Sequence, residues 1–135
     1  MARLDPLKVA LAKKPSKADK EGWIYVLKKK KLGVRNARAY WKVGRSINVP
    51  RRVKQWNAQC RGHEYILQTQ MKVKNSHKFE KCLHLALVNK RFRRPIFRCS
   101  GCGKKHRELF LCKSGSGKSL KKIQSIMDGL KERLG

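Results

Sequence analysis

Apolar and polar positions repeat with two different periods along this chain, and the switches between them outline its elements. The β-branched and aromatic run GWIYVLK (22–28) reads as a strand, and AYWKVG (39–44) returns as a second. Between them, KKKLGVRNAR is a basic loop with Gly33 and Asn36 as turn residues, which predicts an antiparallel hairpin with a long positive tip. Asn48 and Pro50 signal a helix start, and Val53, Trp56 and Cys60, at i, i+3 and i+7, form its inner face. HEYILQTQMKV (63–73) reads as a third strand, of a length suited to a sheet centre. Asn75 and Ser76 are the expected N-caps of HKFEKCLHLALVNK, in which Phe79, Leu83, Ala86 and Leu87 form an apolar stripe. A loop carrying a Cys-x-x-Cys follows, then a short strand RELFLC. GSGKSLKKIQSIMDGLKERL closes the chain as an amphipathic helix with Leu120, Ile123, Met127, Leu130 and Leu134 on one side. The order β-β-α-β-α-loop-β-α predicts one α+β domain, an antiparallel sheet flanked by helices, and no internal repeat is visible.

Three segments are expected: a flexible basic arm over 1–21, the main domain over 22–112, and a linker with the closing helix over 113–135. The arm spaces Leu4, Leu7 and Leu11 among lysines, carries Asp5 and Pro6 and lacks a continuous apolar core, so it does not read as a secretory signal.

Charge changes the picture most. Lys and Arg number 36 against 8 acidic residues, a net charge of +28. Self-repulsion on this scale opposes the compact state, and an extended polyanion relieves it while releasing counterions. Nucleic acid is therefore the expected partner. An anionic membrane is the weaker rival, because no long apolar segment exists to span or anchor. Five cysteines with one Cys-x-x-Cys do not make a disulfide framework, which points to a reducing, intracellular compartment, the nucleus if the source is eukaryotic.

The segment CKSGSGKSL suggests a phosphate-binding loop, but Cys112 stands where its first glycine belongs and no acidic residue after an apolar strand follows to hold magnesium. A linker and helix start is the better reading. CSGCGKKH is a stronger signal: Cys99, Cys102 and His106 can wrap one zinc ion in a knuckle. Cys60, at a helix end, is the natural fourth ligand, and His84 competes with His106. A third set is Tyr25, Lys42, Arg52 and Glu80, with His84 one helical turn beyond Glu80. Tyr25 and Lys42 can project from one face of paired strands, and Arg52 can point back over it. Phosphodiester hydrolysis needs a base, a cation for the phosphate and usually a carboxylate-held metal, and all three kinds are present. Acids are scarce, with only Glu64, Glu80 and Glu108 inside the body of the chain.

WIYV followed by WKVG resembles the GIY-YIG nuclease superfamily, with Arg52 eight residues beyond the motif glycine Gly44. The ordered blocks GWIYVLK, WKVGRSINVPRRVKQWNAQC, FEKCLHLAL and CSGCGKKHRELF look like its meiotically up-regulated or T5-phage-type branch, over roughly Gly22 to Cys112. The resemblance implies a small GIY-YIG-type domain with a zinc-knuckle insertion. It implies that Tyr25 is the general base or its positioner, that Arg52 stabilises phosphate charge, and that Glu80 holds Mg²⁺ or Mn²⁺. Lys42 takes the place of the second motif tyrosine, and His106 and Glu108 match the late strand block. The first motif departs in reading Trp-Ile-Tyr, and the loop between Tyr25 and Lys42 is longer than usual.

The expectation is thus a metal-dependent endonuclease on DNA, with structural Zn²⁺ on Cys60, Cys99, Cys102 and His106 and a catalytic set of Tyr25, Lys42, Arg52, Glu80 and His84. Backbone grip is assigned to Lys28, Lys29, Lys30, Lys31, Arg35, Arg38, Arg45, Arg51, Lys54, Arg93 and Arg94. The rival is a catalytically silent nucleic-acid-binding module of the same fold, associated with chromatin, RNA or the ribosome.

Overall fold

The structure is a computed structural model that describes residues 5–33, 40–99, 102–111 and 116–135. Arg35 and Arg38 lie outside these residues. A four-stranded antiparallel sheet has the order β3-β1-β2-β6, from β1 (Gly22–Lys31), β2 (Tyr40–Ser46), β3 (His63–Val73) and β6 (Leu109–Phe110). The period-2 alternation of β1 and β2 divides the interior. Ile24 and Val26 face one way with Trp41 and Val43, and join a core with α1 (Pro6–Ala12), α3 (Ser76–Asn89) and α4 (Ser116–Leu134). Tyr25 and Leu27 face the other way, into a smaller core with Val49 and Trp56 of α2 (Val49–Gln59) and with Cys60, Tyr65 and Cys99. The α+β class read from the sequence is the one observed.

Local signals account for α2: the Asn48 side chain accepts from the Arg51 N–H at 3.1 Å and Pro50 lies in the first turn. The Cys-x-x-Cys loop is a small hairpin of β4 (Phe97–Arg98) and β5 (Lys105–His106), turning through Gly103 at φ +71°.

Four expectations are corrected. HEYILQTQMKV forms an edge strand, and β1 takes the centre because both its faces are covered by apolar neighbours. Lys28 to Lys31 do not form a hairpin tip; they continue β1, paired with β3 as far as Lys31 opposite His63. The segment before Gly22 is not a free arm: α1 packs Ala10, Leu7 and Leu11 on the main core. Asn75 makes no side-chain cap of α3. Asp19 does so instead, accepting from the N–H groups of His77 and Lys78, both at 2.9 Å. A cap supplied from so far along the chain leaves no local sequence signature.

Asp19→Ala is expected to cost about 1 kcal/mol of stability in urea unfolding, the usual worth of a helix cap. Asn75→Ala, which removes no cap bond, should cost much less; equal losses would refute the cap assignment.

Candidate active site and metal centre

Tyr25 and Gly44 are partners across β1 and β2, and their pairing explains the glycine. A Cβ on Gly44 would stand 2.6 Å from the Tyr25 hydroxyl and 2.8 Å from Glu108 Oε2. The missing side chain is the space in which phenol and carboxylate meet. The Tyr25 hydroxyl accepts from Trp56 Nε1–H at 3.1 Å. Arg52, one turn before Trp56, lays its guanidinium 4.6 Å from the indole centre and stands beside the phenol. Burial, and then the negative charge of Glu108, push the phenol up to about 12 against the pull of Trp56 and Arg52. Tyr25 is neutral at pH 7.

Lys42 shares this face and is only 1% exposed. Its ammonium lies over the Trp56 ring, 3.5 Å from the centroid, with Glu108 Oε2 at 3.7 Å and His106 Nδ1 at 3.4 Å. Burial lowers it to about 8, partly opposed by Glu108.

Strand β6 is only two residues long, so it leaves part of the β2 edge to be satisfied by other groups. The Val43 N–H donates to the Glu108 carbonyl at 2.9 Å, the last rung on that side. Beyond it, α3 takes over: His84 Nε2–H donates to the Val43 carbonyl at 2.7 Å, and the Arg45 N–H donates to the Glu80 carboxylate. His84 Nδ1 then accepts from Arg94 at 3.3 Å. Both imidazole nitrogens are therefore occupied. Burial lowers His84 to about 4, so it is neutral and serves as a strut between α3 and β2. Among the described residues, one oxygen each of Glu80 and Glu108 is buried with no hydrogen-bond partner. Burial, and then the charge of Glu108, push Glu80 up to about 7.

A second cluster lies beside the first. The ligand atoms of Cys60, Cys99, Cys102 and His106 all fall within 4.8 Å of one another. His106 Nε2 is 3.5 Å from Cys60 Sγ and 3.2 Å from Cys102 Sγ. A tetrahedral zinc with bonds of about 2.3 Å to sulfur and 2.0–2.1 Å to nitrogen has edges of roughly 3.6–3.8 Å, so this Cys₃His set can hold a metal such as zinc. The surroundings suit it. Lys29 donates to Cys99 Sγ at 3.6 Å, and the Tyr65 hydroxyl donates to Cys60 Sγ at 3.5 Å, opposing the net negative charge of three thiolates on a dication. Burial raises the Cys60 thiol to about 11 and lowers His106 to about 4, so the imidazole is already in its ligating form while the thiolate awaits a cation.

The site therefore collects Tyr25, Lys42, Arg52 and Glu80, and separately the four candidate zinc ligands. Lys29 leaves the backbone-grip set because it is buried against the thiols, only 3% exposed. Arg45, Arg51 and Arg52 line an open groove with Lys20, Asn48, Gln55 and His77. Arg45 is partly tied down by donating to Ser76 Oγ at 3.0 Å, and Arg94 by donating to the Arg107 carbonyl at 2.7 Å. Lys30, Lys54 and Arg93 are exposed and Lys28 is half-buried. Three participants were missed: Lys20 in the groove, Trp56 as the floor and Glu108 as the second carboxylate. Trp56 was legible only as an inner-face residue. The scarcity of acids was a signal for Glu108.

A family model described as T5orf172 domain matches residues 22–129. No curated protein and no solved structure matches the chain.

The Glu80 environment has a pH signature. Between its ordinary value of 4.5 and its folded value near 7, folding takes up a proton. Above that range both states are ionised and the folded chain carries the whole penalty; below it both are protonated and the penalty is gone. Without added Mg²⁺ or Mn²⁺, Glu80→Gln should be more stable than the parent at pH 8, by about 2 kcal/mol after allowance for partial exposure. The gap should close as pH falls toward 4.5; denaturation across this range would reject the cause if the gap did not change.

Proposed function

We propose that this chain, which belongs to the T5orf172 domain family, is a metal-dependent GIY-YIG-type endonuclease that hydrolyses DNA phosphodiester bonds. The family supports a nuclease-like or nucleic-acid-binding role. The observation that carries the finer reading is the convergence of Tyr25, Lys42, Arg52 and two carboxylates with orphaned oxygens around Gly44. A scaffold that only bound a polyanion would have no use for buried acids beside its phosphate groove.

In this reading the groove of Arg45, Arg51 and Arg52 takes the DNA backbone, and Arg52, touching both groove and site, binds the scissile phosphate. The neutral Tyr25 hydroxyl orients the attacking water and does not wait as a phenolate. Lys42 adds positive charge under the phosphate, and Trp56 keeps bulk water from it. Glu80 would hold Mg²⁺ or Mn²⁺, whose chemistry there is neutralisation of charge on the phosphate. The structure suits such an ion because one buried oxygen each of Glu80 and Glu108 has no hydrogen-bond partner among the described residues. The Cys₃His cluster is a structural zinc centre in the same reading, since its four protein ligands leave no open position. One such site per monomer nicks a single strand.

Plasmid DNA with Mg²⁺ or Mn²⁺ should be nicked by the wild type. Arg52→Ala and Glu80→Ala should each lose at least about a hundred-fold in rate, the scale of removing one transition-state charge partner. Salt-sensitive DNA binding should survive Glu80→Ala. No cleavage of any DNA by the wild type would leave the silent binding module as the function.

Metal analysis of the reduced protein should find one zinc per chain, lost in His106→Ala. Its removal by a strong chelator should destabilise the fold by several kcal/mol. A zinc-free but fully stable wild type would remove the structural assignment.

A further inference from the structure

Glu108 matches the late strand block of the family motif, but the sequence gives it no role in the site. Its backbone carbonyl is fixed by the Val43 N–H at 2.9 Å, so its side chain is delivered over Gly44 by a paired strand end. Glu80 is fixed by the Arg45 N–H. The two carboxylates therefore approach the same stretch of β2 from different elements, each anchored to a backbone group two residues from the other's. Each keeps one buried oxygen without a hydrogen-bond partner. Around them stand Tyr25 and Lys42, each 1% exposed, with polar ends turned into the same space. Among the described residues Glu108 makes one ion pair, with the Lys42 ammonium at 3.7 Å, beyond hydrogen-bond distance.

We propose that Glu108 is a second carboxylate ligand of the divalent cation at the Glu80 site. This rests on the nuclease reading for its setting but not for its test. Two like charges with orphaned oxygens in a desolvated site are costly, and a hard cation satisfies both at once. Carboxylate oxygens with no thiol or imidazole free to join select Mg²⁺ or Mn²⁺, and the thiolate cluster nearby selects zinc, so the two centres do not compete for one ion. Lys42 supplies the positive charge that faces Glu108 in the structure. Glu108 also follows two residues after His106 of the Cys₃His cluster, which fixes the direction from which it enters.

The test is Mn²⁺ binding to the zinc-loaded full chain, read by electron paramagnetic resonance and calorimetry without DNA. The wild type should bind one Mn²⁺. Glu108→Gln and Glu80→Gln should each weaken it by more than about a hundred-fold, beyond the loss of an outer-shell partner. Zinc content should stay at one per chain, which shows that the variants fold. Glu108→Asp, with its carboxylate withdrawn by one methylene, should fall between wild type and Glu108→Gln. Wild-type affinity in Glu108→Gln, or no Mn²⁺ bound by the wild type, would overturn the assignment. Mn²⁺ binding that needs both carboxylates in a protein that cleaves no DNA would uphold it and reject the nuclease reading instead.

Discussion

An ammonium group sealed inside the protein sets the terms for everything around it. Moving the Lys42 charge out of water costs several kcal/mol unless other groups replace its hydration. The replacement comes from three elements at once: the Trp56 ring from α2, the Glu108 carboxylate at the start of β6 and the His106 ring from the knuckle hairpin. The register of β1 with β2 places Lys42 beside Leu27 on this face, two residues from the Tyr25–Gly44 pair. A slip of one residue would turn both site residues into the opposite, apolar core. The charge therefore fixes where α2 docks, where the last strand joins and how the metal cluster faces the sheet.

The alternation that made the sheet legible also made half of the site legible. Tyr25 and Lys42 lie on one face because both strands keep a period of two, and Cys99, Cys102 and His106 announce themselves by spacing. What the pattern could not carry is tertiary. Asp19 caps a helix that starts more than fifty residues later, and Trp56 looks like any buried inner-face aromatic until the phenol and two cations are seen around it. Lys29 was assigned to backbone grip because four lysines in a row look like a surface tip. The alternation simply continues through them and carries it inward onto Cys99. His84 was expected in the catalytic set one turn beyond Glu80, and the same helical spacing delivers both side chains to a strand edge that β6 is too short to cover.

Burial works against ionisation throughout this region. Burial holds Lys42 low and Tyr25 and Glu80 high, each displaced toward its neutral form. Such displacements are a cost to the fold, and they cluster where function demands pre-organised charge. The much larger apolar core on the opposite face, built by α3 and α4 with α1, carries the stability that lets this face stay strained.

The Cys₃His cluster also bears on how the chain reaches this state. Its first ligand, Cys60, closes α2, and the others arrive only after β3 and α3 have been laid down between them. An ion that clips Cys60 to Cys99 closes a loop of about forty residues, a restriction on the unfolded chain worth about 4 kcal/mol by the cross-link entropy relation. During synthesis the clip cannot form until the chain has passed Cys99, and by then β1, β2, β3 and α3 have all been made. A metal held by this set would therefore lock an arrangement whose first three strands and first three helices precede its last ligands in the chain.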